Sequence, residues 1–277
     1  MVRSGKLQVR QVTVARLQPD TVRRMWELYS EYYENVERET FDCDLAEKGS
    51  VFVATDSGSG DLVGFSTTLF YRHEYDRTAV DIYFSGDTII RPEYWGQSAL
   101  HRSVTGALLR RKLRHPFTPL YWHLICSGYR TYLTLVRNFP RHWPHHGRET
   151  PEWEAGLIDS ICRARYGEDW KAEDGVVRFG PEQPVLKAGV APLTDRVIAM
   201  PEVRFFLRIN PGYLEGDELA MIARVDYRAM AGMVYKWLRR ALRRRLMRAS
   251  TRAQRPEGVV CYRLGEEDRH AVRAGRR

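Results

Sequence analysis

The sequence predicts an α/β fold in which helices flank a mixed sheet, with a C-terminal extension ending in a basic amphipathic helix. Between residues 20 and 140, helical patterns and β-branched runs follow in the order helix, β-hairpin, strand, helix, strand, helix. The 277 residues are 43% hydrophobic, enough to bury a core. Ten basic and no acidic residues lie between Tyr227 and Arg255, and without them the net charge falls from +9 to −1.

The first predicted element is a helix that Asp20 could cap and that runs to about Glu39. Two β-rich runs follow, VFVAT and DLVGFSTTLFYRH, and the turn DSGSG between them predicts a β-hairpin. A third strand, AVDIYF, continues into SGD. Gly86 inside this strand pattern predicts a bulge or a distortion.

The stretch DTIIRPEYWGQSALHRSVTGALLRRKL, residues 87–113, joins the third strand to a helix from about Gly96 to Arg114. The turn between them is short, and a helix start leaves several backbone N–H groups unpaired, which makes it a natural seat for an anion. Cations close this helix, where they suit the negative end of its dipole. A further strand, LYWHLICS, and a further helix, YRTYLTLVRNF, follow.

The pattern is less regular after Pro140. The sequence predicts a loop at RHWPHHGRE, a helix at PEWEAGLIDSICRARYG and additional edge structure of the sheet at VRFFLRINPG and DELAMIARVDY. We therefore expect one domain over residues 1–226, followed by a basic helix and a tail over residues 227–277.

Several classes of protein are not favoured. There is no apolar run near the roughly 20 residues that span a bilayer, and the N-terminus lacks a signal-peptide pattern. The four cysteines lie far apart without a C-x-x-C pair, which indicates reduced thiols and a cytoplasmic location. A metal site at His142, His145 and His146 would need a further ligand at ordered spacing, so we predict a solvated loop and no metal.

The element order and the stretch IIRPEYWGQSAL resemble the GNAT acyltransferase superfamily over about residues 20–140. In that family the fourth strand ends in V-x-P-x-x-R-G-x-G-x-G and passes directly into a helix. The backbone amides of this loop bind the pyrophosphate of acyl-coenzyme A. Ile90 stands at the family's Val, Pro92 at its Pro and Gly96 at its first Gly.

This chain departs from the family motif at three positions. Trp95 replaces the Arg or Gln, while Ser98 and Leu100 replace the second and third Gly. Glycine allows the backbone to approach a phosphate closely, whereas Leu100 adds bulk near the helix start. The resemblance implies that the donor-binding residues are Thr88, Ile89, Ile90, Trp95, Gly96, Gln97, Ser98 and Ala99.

The resemblance also implies an N-acyltransferase that moves an acyl group from a thioester to a small-molecule amine by direct attack. The donor is acyl-CoA or the acyl-phosphopantetheine of an acyl carrier protein, since some relatives use carrier protein and dispense with the glycine loop.

Such a reaction needs a base for the ammonium proton, donors for the developing oxyanion and an acid for the leaving thiolate. The resemblance places the oxyanion donors among the backbone N–H groups of residues 88–90. Asp87 and Asp81, on or beside the same strand, and His123, on the next one, are candidates for the base. In many members of the family the acid is a Tyr on the helix after the fifth strand, and here that helix offers Tyr129 and Tyr132, of which Tyr132 is the candidate. Each has a structural alternative, a turn residue for Asp87 and core residues for His123 and Tyr132.

The basic segment suggests a second class of function. Arginines surround an apolar face of Met, Val, Trp and Leu between residues 230 and 246, a pattern typical of helices that bind a membrane surface or an acidic partner. The alternative function is thus a non-catalytic protein of the same fold that binds membrane or an acidic partner. Nucleic acid is less favoured because no reader motif accompanies the helix. Packing of this helix on the domain is the structural alternative.

Overall fold

The computed structural model describes residues 5–180, 183–187, 193–236 and 238–239. The chain divides into two units, Met1–Met233 and Val234–Arg277. Most of the second unit, including the predicted face at Trp237, Leu242 and Leu246, lies outside the described residues. The fold described below is that of the first unit.

Helices and strands are interspersed along this unit. The α-helices are Pro19–Tyr32 (α1), Arg38–Ala46 (α2), Ala99–Arg114 (α3), Tyr129–Asn138 (α4), Glu152–Tyr166 (α5), Asp195–Ile198 (α6) and Pro201–Ile209 (α7). The strands are Leu7–Thr13 (β1), Tyr33–Glu34 (β2), Ser50–Asp56 (β3), Leu62–Tyr75 (β4), Thr78–Ile90 (β5), Leu120–Cys126 (β6), His142–Trp143 (β7), Trp170–Lys171 (β8), Val176–Val177 (β9), Val185–Leu186 (β10) and Glu218–Arg224 (β11).

In the described part of the chain the main sheet is mixed, in the order β1-β3-β4-β5-β6-β11-β9-β8, with β7 paired to β11. The pair β5–β6 is parallel because α3 connects the two strands, and the other neighbours are antiparallel. The predicted α/β fold with a mixed sheet flanked by helices is confirmed.

The parallel pair opens partway along its length. Pairing runs from Asp81 opposite Leu120 to Phe84 opposite His123 and then stops, although both strands continue. A gap therefore separates residues 85–90 of β5 from residues 124–126 of β6. We call this gap the strand cleft.

A bulge lies where β5 enters the strand cleft. Ser66 pairs with Thr88 and Thr68 with Ser85, so Thr67 lies opposite both Gly86 and Asp87. A Cβ on Gly86 would lie 2.6 Å from Thr67 Oγ1 and 3.1 Å from Lys48 Cε, so any other residue would have to displace these two side chains. The predicted bulge is confirmed.

The helices cover both faces of the sheet. On one face, α1 and α2 bury Val51, Val53, Phe65 and Ile89, while α5 buries Ile82, Tyr121 and Ile222. On the other face, α3, α4 and α7 pack against residues that include Tyr83, Trp122 and Met221. The strand cleft therefore has an α2–α5 side and an α3–α4 side.

The predicted helix from Asp20 to Glu39 is two helices. α1 starts at Pro19 with Gln18 as its cap, so Asp20 lies in the first turn, where it pairs with Arg23 and Arg24. α1 ends at Tyr32, and Asn35 has a φ of 54°, a left-handed conformation that no right-handed helix can contain.

The segment VRFFLRINPG, predicted to add edge structure, is instead the helix α7. Pro201 occupies its first turn, and the buried Val203 and Phe206 recur at helical spacing. The second segment, DELAMIARVDY, does contain a strand, but β11 lies inside the sheet between β6 and β9. Burial on both faces is typical of such an inner strand, and Leu219 to Ala223 are buried throughout.

The start of the basic segment belongs to the core of the first unit. Asp226 Oδ1 accepts a hydrogen bond from the N–H of Ala229 at 2.8 Å and caps the helix that follows. Met230 and Met233 are 3% and 6% exposed and contact the cluster around α3 and α4. These first turns pack on the domain. The predicted boundary at residue 226 stays a prediction, as does partner or membrane binding by later residues.

We expect truncation after Asp226 to lower the free energy of unfolding by about 3–6 kcal/mol, because two buried methionine side chains are lost. Truncation after Met233 is the matched control, since it keeps both side chains. Urea unfolding followed by tryptophan fluorescence measures the difference. Equal stability of the two truncated proteins would contradict the packing of residues 227–233.

No helix within the described ranges is both long and apolar enough to cross a membrane.

Candidate active site at the strand cleft

Phe84 forms the floor of the strand cleft on its α2–α5 side. The ring is 4% exposed and lies at the point where β5 and β6 separate. Lys48, at the end of α2, places its Nζ 5.6 Å from the ring centroid, and Arg165 of α5 places its Cζ at 4.3 Å. Two cations thus contact one aromatic ring from different helices.

Asp87 follows Phe84 along β5 and belongs to the bulge. Burial raises the pKa of its carboxyl to about 7, and the charge of Asp44 adds to the increase, while Lys48 opposes it. These electrostatic neighbours belong to α2 and its C-terminal end, so Asp87 faces the α2–α5 side. A carboxyl group that titrates near neutral pH is suited to accept a proton there.

Glu218 is a second carboxyl group of the strand cleft, one that the sequence analysis did not identify. It begins β11, beside the end of β6, and accepts a hydrogen bond from Ser127 Oγ. Burial raises its pKa to about 7, and the charge of Asp87 contributes to the increase. A glutamate before an apolar strand carries no sequence signal of its own, because its position depends on the pairing of β11 with β6.

Two tyrosines of α1 and β2 lie near this carboxyl pair. The rings of Tyr29 and Tyr33 stack with centroids 4.7 Å apart. Burial, and secondarily the charge of Asp87, raises the pKa of both phenols far above the ordinary range, so both stay protonated. The strand cleft therefore presents acidic and aromatic groups on this side, which suits an amine.

His123 is fully buried on β6. One ring nitrogen, Nδ1, lies 3.0 Å from the carbonyl oxygen of Met221, and the other, Nε2, lies 3.5 Å from the hydroxyl of Tyr166. Burial lowers the pKa of His123 to about 3, so the ring is neutral at physiological pH. As a base it would be much weaker than Asp87.

Asp81, the other candidate on β5, is held in an ion pair. Its two carboxylate oxygens accept hydrogen bonds from Nε and Nη2 of Arg111, each at 2.8 Å, and Asp81 is 1% exposed. This arrangement ties α3 to the sheet and leaves Asp81 outside the strand cleft.

Tyr132, the candidate acid, is buried on α4 beside Phe205 and Phe206. Its hydroxyl has no hydrogen-bond partner, and burial raises its pKa far above the ordinary range. The side chain therefore keeps its proton. Its role as acid stays a prediction.

On the α3–α4 side, β5 turns backbone groups toward the strand cleft. The N–H of Arg91 donates to the carbonyl of Val63 on β4 at 2.9 Å. Because alternate residues of a strand point to opposite sides, the N–H groups of Thr88 and Ile90 point toward β6. The Ile90 carbonyl accepts a hydrogen bond from the indole Nε1 of Trp95 at 2.7 Å.

The loop after β5 leads to α3, which begins at Ala99 and not at the predicted Gly96. Gly96 has a φ of +80°, a conformation that favours glycine. The Gln97 side chain bonds the backbone of Gly5 and Leu7, and Ser98 Oγ accepts from Arg102. These two side chains are thus engaged within the protein, and what the loop offers to an anion is the backbone N–H groups at the start of α3.

Positive charge lies on both sides of this helix start. The guanidinium of Arg130, on α4, lies 4.4 Å from the ring centroid of Trp95. On the other side, a cavity of about 500 Å³ between β1 and α3 is lined in part by Lys6, Arg10 and Arg102. Where the family motif has a polar residue, this chain has Trp95, and Arg130 brings a cation to the same place.

The three neighbouring histidines form a stack. The ring centroids are 4.6 Å apart for His142 and His145 and 4.7 Å apart for His145 and His146. Within the described residues, no group of His, Cys, Asp or Glu side chains is arranged to hold a metal ion.

No protein-family model and no curated protein matches this sequence. Solved structures do match. A probable N-acyltransferase from Enterococcus faecalis has a TM-score of 0.36 and 13% identity over 47% of this chain and 32% of its own. Glucosamine-6-phosphate N-acetyltransferase from Arabidopsis thaliana has a TM-score of 0.33 and 15% identity over 47% of this chain and 89% of its own. An aminoglycoside N-acetyltransferase in complex with CoA has a TM-score of 0.34 and 14% identity over 50% and 88%.

The sheet itself shows the architecture that the sequence resemblance implied. An antiparallel meander, β3-β4-β5, passes through α3 into the parallel strand β6 and then into α4. This order of elements resembles that of the GNAT fold. Beyond α4, the sheet continues through β11, which brings Glu218 to the strand cleft.

Proposed function

We propose that this protein is an N-acyltransferase that transfers an acyl group from acyl-CoA to an amine. The observation that supports it best is the strand cleft, which presents different chemistry on its two sides. The N–H groups of Thr88 and Ile90 point into the gap itself. The start of α3, with the cations of Arg102 and Arg130 beside it, lies on one side, and the carboxyl groups of Asp87 and Glu218 lie on the other. A thioester and an amine could meet in the gap between the strands.

In this proposal the acyl-CoA pantetheine arm enters the strand cleft from the α3–α4 side. The backbone N–H groups of Thr88 and Ile90 would then face the thioester carbonyl, where they can stabilise the developing oxyanion. The phosphates would lie at the turn formed by Trp95, Gly96, Gln97, Ser98 and Ala99. The backbone amides of the turn and the cations of Arg102 and Arg130 complement their negative charge.

The acceptor amine would enter from the α2–α5 side. An ammonium ion is attracted by the carboxyl pair, and Asp87 takes its proton so that the free amine can attack the thioester carbon. The bond from carbon to the amine nitrogen forms as the bond from carbon to sulfur breaks. The leaving thiolate takes up a proton, for which Tyr132 is the predicted donor. The nitrogen loses its second proton to solvent as the amide forms, and Tyr132 regains a proton from solvent.

The use of an acyl carrier protein as donor stays a prediction. It depended on the departures from the glycine motif and on the arginines between residues 239 and 248, of which all but Arg239 lie outside the described residues. The same holds for the alternative function as a non-catalytic protein that binds membrane or an acidic partner. We therefore propose acyl-CoA alone as the donor. Acyl carrier protein is included as a second donor in the experiment that tests the proposal.

The donor site is tested by Gly96→Ala, which we expect to weaken CoA binding about 5-fold or more. A Cβ at positive φ costs roughly 1–2 kcal/mol and displaces the turn that leads to the phosphates. Gly60→Ala is the matched control, because Gly60 also has a positive φ, +77°, and open space around it, but lies in the β3–β4 turn. Calorimetric titration with CoA measures the effect.

A lack of CoA binding by the wild type, together with no turnover of acetyl-CoA or acyl carrier protein with any amine tried, would overturn the proposed function. Equal CoA binding by Gly96→Ala and Gly60→Ala would show that the phosphates do not bind at the start of α3.

A further inference from the structure

Arg165 is a charged side chain without an ionic partner, which neither the fold nor the proposed reaction explains. Among the described residues, no carboxylate lies within ion-pair distance of its guanidinium, whereas Arg163 on the same helix pairs with Asp159 at 2.8 Å. The Nε atom of Arg165 is buried and has no hydrogen-bond partner. An unsatisfied N–H of a charged group is costly to bury.

Aromatic rings surround this guanidinium. Its Cζ lies 4.3 Å from the ring centroid of Phe84, 5.6 Å from that of Tyr71 and 5.9 Å from that of Tyr166. Cation–π contacts offset part of the cost of removing the charge from water. They satisfy no N–H donor, and the hydroxyls of Tyr71 and Tyr166, which also lie beside the guanidinium, are neutral. The charge of Arg165 is therefore not balanced, and the guanidinium keeps the capacity to bind an anion.

Arg165 lies on the acceptor side of the strand cleft. Phe84, the ring it contacts most closely, is the last residue of β5 that pairs with β6. Asp87 follows three residues later on the same strand, and the bulge reduces this advance to about two residue steps, roughly 7 Å at the usual rise. Lys48, the other cation on the Phe84 ring, pairs with Asp44. The strand cleft therefore has at its floor the guanidinium of Arg165, whose charge is not neutralised by any carboxylate of the described residues, and it has carboxyl groups farther along.

We propose that Arg165 binds a carboxylate of the acceptor, so that the acceptor is an amine that also carries a carboxylate. This inference rests on the proposed function, because the amine must reach Asp87 while the carboxylate reaches Arg165. A guanidinium matches the planar carboxylate with two parallel hydrogen bonds. Because the two groups lie at different positions along β5, an amine several bonds away from its carboxylate fits best.

The test compares two acceptors of equal chain length, 6-aminohexanoate and hexylamine, with acetyl-CoA as donor. We expect wild type to favour 6-aminohexanoate in kcat/KM by roughly 10–100-fold, the usual effect of a charge-assisted hydrogen bond. Arg165→Met should abolish this preference and leave hexylamine turnover within about 3-fold, and Arg165→Lys should restore part of it. Arg163→Met is the matched control and should keep the preference.

A binding measurement separates this inference from the proposed function. Hexanoate, which has no amine, is titrated into wild type, Arg165→Met and Arg163→Met without donor. Loss of hexanoate binding in Arg165→Met alone supports the carboxylate site even if no amine is acylated. If wild type acylates both amines equally, or if Arg165→Met binds hexanoate as wild type does, the carboxylate site is wrong while acyl transfer still stands.

Discussion

Replacement of Asp87 by asparagine is expected to lower kcat by about 10²–10⁴-fold, the usual contribution of a general base. Asparagine keeps the size of the side chain at the bulge but cannot accept the ammonium proton. The release of CoA thiol, followed with a thiol reagent at pH 8, measures the rate. Asp61→Asn, in the exposed turn before β4, is the matched control and should keep the wild-type rate. Wild-type turnover by Asp87→Asn would exclude Asp87 as the base.

The pH dependence gives a second measure of the same group. Because the pKa of Asp87 is raised to about 7, kcat/KM of the wild type should rise as pH increases through 7 and level off above it. The charge of Asp87 contributes to the raised pKa of Glu218, and this coupling is reciprocal. Glu218→Gln should therefore move the rise in activity to lower pH. An unchanged pH profile in Glu218→Gln would contradict the coupling of the two carboxyl groups.

The free energy of unfolding changes with pH in the opposite direction to the activity. The folded-state pKa of Asp87 lies above its ordinary value, so unfolding releases a proton and the free energy of unfolding falls as pH rises from about 4 to 7. Asp87→Asn removes this pH-dependent decrease in stability, because asparagine does not ionise. We expect the variant to be inactive yet at least as stable as wild type at pH 8, which separates a catalytic defect from misfolding.

Among the single substitutions, Asp81→Asn is expected to have the largest effect on stability, a loss of about 3–5 kcal/mol in the free energy of unfolding. The change leaves Arg111 opposite a neutral group in a pair where Asp81 is 1% exposed. Urea unfolding measures the loss. Asp20→Asn is the matched control, because Asp20 pairs with Arg23 and Arg24 at an exposed position, where ion pairs contribute about 0–1 kcal/mol.

The two aspartates of β5 thus separate stability from catalysis. If Asp81→Asn folds as stably as Asp20→Asn, the ion pair with Arg111 does not hold α3 to the sheet. If Asp81→Asn keeps its stability but loses turnover, Asp81 would replace Asp87 as the candidate base.

The sequence by itself determined the local features of this protein. The meander, the strand–turn–helix at residues 87–113 and the bulge at Gly86 follow from alternation, turn residues and glycine, each of which acts over a few neighbouring residues. Asp87 could be named as a candidate because it adjoins that bulge. The local pattern also gave one wrong prediction, because Phe205 and Phe206 favoured a strand in a segment where Pro201 starts a helix.

Only the tertiary structure decided which chemical groups meet in the strand cleft. Ser127 and Glu218 are 91 residues apart in sequence and are joined by the pairing of β6 with β11. Arg165 contacts Phe84 across 81 residues. Asp81 and Asp87 belong to the same strand but differ, because Asp81 has Arg111 as a partner while the half-buried Asp87 lies near the like charge of Asp44. Charge state and partnership depend on burial and on distant neighbours, which no local pattern contains.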